Sequence, residues 1–292
     1  MKEDVDTNEV IEMAETMSEV QVFAEFPSDL LTLENPLETF VAEEIKATHE
    51  TEADLFARHE GIPAHHQESL EKACIVLVGG GGLNSWTSLG LVRSGAKNIT
   101  ITDHDRTDRT NLARQFFFEE DLGQPKGIRL AKNLVSHAVG GANITGIGLP
   151  FQEALENYAL PADVFVVGVD NNACRLKAVQ EARKRRIPAI FTMLSLDGMR
   201  CQCFLQGSSN DDACLWCALP NLDPERILPC ASSIISSCFL ASALTIFFTH
   251  RALMGWSNLK PFNWREADLS GALESKTGMI KKRANCSVCS QL

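Results

Sequence analysis

A chain of 292 residues, 45% of them hydrophobic and 22% charged, has the length and balance of a globular protein with room for a sizeable core. Its net charge of −11 is unevenly held: residues 1–54 carry 16 Asp/Glu against Lys2 and Lys46, a net of −14, and the remaining 238 residues carry about +3. That distribution excludes the overall basic excess of a nucleic-acid binder. The acidic start argues against a secretory signal, so the cytoplasm is the expected compartment.

Ten cysteines in a chain of this length predict reduced thiols, metal ligands or a catalytic thiol rather than a disulfide scaffold. Residues 1–54, with scattered apolar groups such as Val20, Val22, Phe23 and Phe26, show no strong periodicity. They are expected to form an acidic extension, partly ordered or docked on a partner, ahead of a domain over 55–292.

Cys74–Val78 (CIVLV) is an apolar run stopped by four glycines and predicts a buried parallel strand. A helix over 84–95 and a strand at Asn98–Thr102, ended by Asp103, follow. Residues 125–139 predict a helix, 144–148 a strand, 152–159 a helix, and 163–169 a buried strand ended by Asp170. A helix over 173–186 and a strand at 188–194 complete the alternation. The pattern predicts an α/β, Rossmann-like, doubly wound and mostly parallel sheet, with no internal repeat. The basic run Arg183–Arg186 is expected to be a solvated helix end, and Asp197-Gly198 a turn. Leu228–Thr249 has no charged residue and is long enough to span a bilayer. Pro229, five serines and two threonines favour a buried core helix instead, so no membrane is expected.

Gly79-Gly80-Gly81-Gly82-Leu83-Asn84 lies between a strand and a helix, where a tight turn brings backbone N–H groups close to phosphates and only glycine allows that approach. Asp103, 24 residues after Gly79, is placed to meet ribose hydroxyls. The turn alone fits NAD as well as ATP. Arg114 and Lys126 offer cations to a polyphosphate, and Asp170 at a strand's C-terminal end offers a carboxylate to magnesium.

The run GGGGLNS, then DHD, NLARQ, GQPK and VDNN resembles the ThiF/MoeB/HesA family, the activating enzymes of ubiquitin-like and sulfur-carrier proteins. The resemblance extends over about residues 65 to 292. It implies ATP as the nucleotide and gives binding roles to Gly79, Gly81, Gly82, Asp103, Asn111, Arg114, Gln115, Lys126 and Asp170. Arg114 and Lys126 become the phosphate contacts and Asp170 the Mg2+-associated carboxylate. It further implies a homodimer, in which some members lend an N-terminal arginine across the interface. Arg58 is the nearest match for that arginine, at a spacing a few residues short. Asn84 stands where the family has glycine.

Cys214-x-x-Cys217 and Cys286-x-x-Cys289 are two knuckles, each able to place two thiolates at one side of a tetrahedron. A closed four-cysteine zinc site, buried thiols and a redox pair all satisfy that spacing; the resemblance favours structural Zn2+. Cys230 lies in the loop-like start of the Leu228–Thr249 segment, just before its apolar helix, and a thiol near a helix N-terminus is favoured as thiolate. It resembles the acceptor cysteine of members that form a thioester after adenylation. Cys74, Cys174, Cys201, Cys203 and Cys238 read as buried small hydrophobes.

The expected partner is therefore a ubiquitin-like or sulfur-carrier protein ending in glycine. Its carboxylate would be adenylated, captured on Cys230 and passed to a conjugating enzyme. Catalysis is assigned to Cys230, Arg114, Lys126 and Asp170. Thiocarboxylate formation on a sulfur carrier, a tRNA-modifying dehydratase and a non-catalytic scaffold subunit are the alternatives.

Overall fold

The computed structural model describes residues 39–42, 55–225, 232–255, 262–270 and 273–290. Among the described residues nine strands form one sheet: β1 (Thr39–Ala42), β2 (Cys74–Val78), β3 (Asn98–Thr102), β4 (Asn143–Ile147), β5 (Val164–Val167), β6 (Ala189–Leu194), β7 (Arg200–Gln206), β8 (Trp264–Asp268) and β9 (Glu274–Gly278). Their order is β1-β4-β3-β2-β5-β6-β7-β8-β9. The centre from β4 to β6 is parallel, and β2 is flanked by β3 and β5, so the crossovers run outward in both directions from it. This reversal opens a crevice at the C-terminal ends of the central strands, where α/β sheets bind ligands.

The helices are α1 (Gln67–Lys72), α2 (Asn84–Arg93), α3 (Lys126–Val135), α4 (Phe151–Asn157), α5 (Asn172–Arg185), α6 (Leu215–Ala218) and α7 (Ile235–Met254). Alternation along β2 shows why both faces are covered. Ile75 and Leu77 join Leu91, Leu130 and Phe248 in one core, whereas Val76 and Val78 join Phe151, Val179 and Leu215 in the other. Successive strand side chains point to opposite faces, so a continuous apolar strand needs helices on both.

Parallel order is confined to the centre. β1 pairs antiparallel with β4 at one edge, and β7, β8 and β9 add antiparallel strands at the other. The mostly parallel sheet is as expected; β8 and β9 were not anticipated, because Trp-Arg-Glu-Ala-Asp and Glu-Ser-Lys-Thr-Gly carry no apolar run. At this margin of the sheet, where β9 is the edge strand and its side chains are largely exposed, none is needed. Within residues 1–54, the acidic extension of the sequence reading, β1 is a strand of the sheet.

α7 has the length and composition of a membrane-crossing helix, yet it packs across α2, β6 and β7 with Cys238, Ala241 and Phe248 fully buried. Gly255, at φ +61°, ends it in the left-handed conformation that glycine adopts without strain. The Asp197-Gly198 turn forms as expected, with Asp197 Oδ1 accepting from the Met199 N–H.

The basic run at the end of α5 departs from expectation in part. Arg183 is buried and donates to the carbonyls of Ser209 and Asp212, and Arg185 donates to Glu181 and to the Leu160 carbonyl. Arg186 closes the helix at φ +56°. Arg183 and Arg185 thus join α5 to neighbouring loops, whereas Lys184 and Arg186 are exposed.

Candidate nucleotide site and cysteine cluster

β2 ends at Val78, and the chain turns at Gly79 with φ +86°, where a Cβ would lie 2.7 Å from Val169 Cγ1. The Gly79 N–H donates to the Thr102 carbonyl, which ties the turn to the end of β3. Asp103 completes it: Oδ2 accepts from the Gly80 N–H at 2.7 Å and Oδ1 from the Asp105 N–H at 2.9 Å. Burial pushes the Asp103 carboxyl up from the usual range, while the Gly80 N–H and the Lys126 ammonium pull it down.

Beyond this turn lies a cavity of about 300 Å³ lined by residues from the C-terminal ends of β2, β3, β5 and β6. Gly79, Gly81, Gly82, Asp103, Arg114, Gln115, Lys126 and Asp170 all line it. Lys126, only 7% exposed, donates to Asp105 Oδ2 at 3.1 Å. Arg114 Nη1 donates to Ser233 Oγ at 3.2 Å, just ahead of α7. Asp170 stands exposed at the rim. Cationic and anionic groups thus face one space beside a glycine turn, an arrangement able to hold a phosphate chain with its metal ion.

Asn111 is placed differently. It does not line the cavity; its side chain accepts from the Asp108 N–H at 3.0 Å and closes the capping box of the turn at residues 109–111. It shapes the loop that carries Arg114, whose N–H donates to the Asn111 carbonyl. Arg58 lies on an exposed turn at residues 57–59, away from the cavity of its own chain. Cys230 lies outside the described residues.

Among the cavity residues that were not anticipated, three carry titratable groups inside it. Arg175, 7% exposed, donates to Asn172 Oδ1 at 2.8 Å. Burial lowers its pKa to about 10, and neighbouring Asp170 opposes that shift. The spacing Asn172-x-x-Arg175 on the first turn of α5 would have placed both on one helix face. Cys174 and Cys238, read as core hydrophobes, line the same cavity. Burial raises both thiols, Cys174 to about 11, which keeps them protonated at neutral pH. Cys74 is half-buried, whereas Cys201 and Cys203 are buried on one face of β7.

Cys214, Cys217, Cys286 and Cys289 converge although the two pairs are 72 residues apart. The Sγ atoms lie 3.9 Å apart for Cys214–Cys217 and 3.6 Å apart for both Cys214–Cys286 and Cys217–Cys289. A disulfide needs about 2.05 Å, whereas Zn–S bonds of about 2.3 Å set a tetrahedral edge of about 3.8 Å. The cage has the dimensions of a zinc-thiolate tetrahedron. Burial raises the Cys286 thiol, but the N–H groups of Cys289 and Val288, together with the Cys214 and Cys217 side chains, lower it to about 7.

The family profile described as ThiF matches residues 55–288. The chain belongs to the ThiF family. Among its relatives is the NEDD8-activating enzyme E1 catalytic subunit of Dictyostelium discoideum, 30% identical over 102 residues, or 35% of this chain and 23% of that protein. The sulfur carrier protein adenylyltransferase of Thermus thermophilus is 27% identical over 194 residues, covering 62% of this chain and 71% of its own length. The chain spans about a quarter or less of the NEDD8-activating relatives it matches. Among solved structures, E. coli MccB with MccA-N7isoASN superposes with a TM-score of 0.68 at 20% identity, over 83% of this chain and 75% of that one. That likeness is one of fold.

Proposed function

We propose that this ThiF-family chain is an ATP-dependent adenylyltransferase that activates the C-terminal carboxylate of a small ubiquitin-like protein. The observation that carries the reading is the convergence of the Gly79–Gly82 turn, Arg114, Lys126 and Asp170 on one cavity. The substrate's carboxylate oxygen attacks the α-phosphorus of ATP, the bond to the β-phosphate breaks, and pyrophosphate leaves with its electron pair. Arg114 and Lys126 stabilise the charge gathering on the phosphates, and fixed cations in a partly closed site need no reorganisation to do so. Asp103 receives the ribose hydroxyls. Asp170 would hold Mg2+, which supplies neutralising charge at the phosphates.

In the second step the Cys230 thiolate attacks the acyl carbon and AMP leaves, giving a thioester that a conjugating enzyme's cysteine accepts. The four knuckle cysteines would hold Zn2+, whose contribution is a cross-link and not chemistry. We assign the chain to a cytoplasmic homodimer, with Arg58 reaching the partner's nucleotide.

A second reading is favoured by the Thermus thermophilus relative, whose alignment is the longer of the two described and covers most of that protein. Under it, sulfide-level sulfur from a separate donor attacks the acyl carbon of a sulfur-carrier protein's acyl-adenylate, AMP leaves, and the product is a thiocarboxylate.

ATP–pyrophosphate exchange, run with candidate small proteins that end in glycine and followed by non-reducing gels, tests these readings. Exchange with a reductant-sensitive adduct that disappears in Cys230→Ala supports the thioester. Exchange without any adduct supports sulfur transfer, and absence of both exchange and ATP binding leaves a scaffold subunit.

A further inference from the structure

Asn84 is the one residue of the glycine turn that departs from the family pattern, and its surroundings explain what it does there. It occupies the first position of α2 with its side chain fully buried. Nδ2 donates to three carbonyls: Val78 at 3.0 Å, Gly79 at 2.9 Å and Val166 at 3.1 Å. These belong to the last residue of β2, the first residue of the turn and the neighbouring strand β5. The pairing of β2 with β5 ends at Val78 and Val167. The Gly168 N–H also donates to the Val78 carbonyl at 3.1 Å, so the carboxamide reinforces the end of the ladder and ties Gly79 to it.

Room for it comes from the other strand. A Cβ on Gly168, just past β5, would sit 2.7 Å from Asn84 Cγ and Oδ1 and 2.9 Å from Nδ2. Close approach of helix and strand is thus achieved by a glycine on the strand side, with an amide filling the opening. Glycine or alanine at position 84 would remove the amide donor from all three carbonyls, of which Val78 keeps the Gly168 N–H at 3.1 Å, and a hydroxyl would supply one proton where the amide supplies two. The turn beyond depends on this clamp. Gly79 N–H and Gly80 N–H are engaged by Thr102 and Asp103, whereas among the described residues the N–H groups of Gly81 and Gly82 have no acceptor and border the cavity.

We propose that Asn84 is the positioning residue of the phosphate turn, its amide clamping β2, β5 and Gly79 through the opening left by Gly168 so that Gly81 and Gly82 present free N–H groups to phosphate. The inference rests on the nucleotide reading above. It makes Asn84 and Gly168 a matched pair whose substitutions are coupled.

Calorimetric titration of the full chain with Mg-ATP, joined to steady-state pyrophosphate exchange, tests it. Asn84→Gly is expected to raise the ATP Kd by about tenfold or more and to raise KM for ATP more than it lowers kcat. Gly168→Ala is expected to weaken ATP binding in the native background and to have little further effect in the Asn84→Gly background, because the clash is then gone. Where Asn84→Gly shows no cooperative unfolding transition, Asn84→Ser, which keeps one donor and adds no clash, takes its place with the same expectation. ATP affinity within about twofold of the native chain in the glycine or serine variant would overturn the inference while leaving the nucleotide reading intact, as would strictly additive losses in the double variant. A native chain that binds no ATP would remove the nucleotide reading and this inference with it.

Discussion

Lys126 and Arg114 hold their positive charges by different means. Lys126 is nearly enclosed and balanced by Asp105, whereas Arg114 is clasped by a neutral hydroxyl, Ser233 Oγ. Because neither supports the apolar core, Arg114→Ala and Lys126→Met should each reduce pyrophosphate exchange by about 10²- to 10³-fold. The thermal midpoint should move little, and differential scanning fluorimetry on the same samples checks that. Asn111 should behave differently. Asn111→Ala removes a capping interaction worth about 1 kcal/mol and displaces Arg114 only indirectly, so its loss in exchange should be smaller than that of Arg114→Ala. At this scale Gly79, Asp103, Lys126 and Asp170 were legible, since each sits at a strand end or helix start whose position follows from the apolar pattern. Arg175, Cys174 and Cys238 were not, because a residue in an apolar stretch says nothing about which side of the helix meets a cavity.

α7 is the element through which the nucleotide loop is anchored. Ser242 Oγ donates to the Leu83 carbonyl at 2.8 Å, and Thr245 Oγ1 lies 2.6 Å from Thr192 Oγ1. The serines and threonines that argued against a membrane span are used here as fasteners between α7 and the loops it covers. Ser242→Ala should destabilise the fold by about 1 kcal/mol in urea unfolding, the loss of one buried hydrogen bond, since the Leu83 carbonyl keeps the Thr87 N–H and hydroxyl as donors. At the far end of α7, His250 lies near His65, with ring centroids 6.2 Å apart. Burial, then His65 and His59, lowers the His250 pKa to about 4. A histidine depressed in the folded state is protonated first in the unfolded chain, so its contribution is whole above about pH 6.5 and is lost as pH falls toward 4. The expected loss is about 2–3 kcal/mol across that window. Urea unfolding at neutral and at mildly acidic pH should show His250→Gln losing less stability than the native chain.

The whole molecule is closed by the cysteine cage, which joins the loop between β7 and α6 to the segment after β9. Cross-linking residues 72 positions apart restricts the unfolded chain, and chain entropy assigns a loop of that size about 4 kcal/mol. Metal analysis of the purified chain should find one zinc per chain. Removing it with a chelator, or substituting Cys217→Ser, should lower the thermal midpoint markedly, and added zinc should restore the chelated protein alone.

What the sequence by itself determined was the parallel centre, the glycine turn and the order of the polar residues that follow it. Strand and helix periods are local properties, and the crevice at the switch point follows from them. Only the tertiary structure decided the antiparallel edges, because polar edge strands carry no pattern of their own. Tertiary structure also decided the meeting of the two cysteine pairs at the spacing of a metal tetrahedron, the burial of Arg183 against distant carbonyls, and the fit of Asn84 into the opening at Gly168. Each of these joins residues far apart in the chain, and contacts of that kind are set by how the elements pack rather than by the residues that neighbour them in sequence.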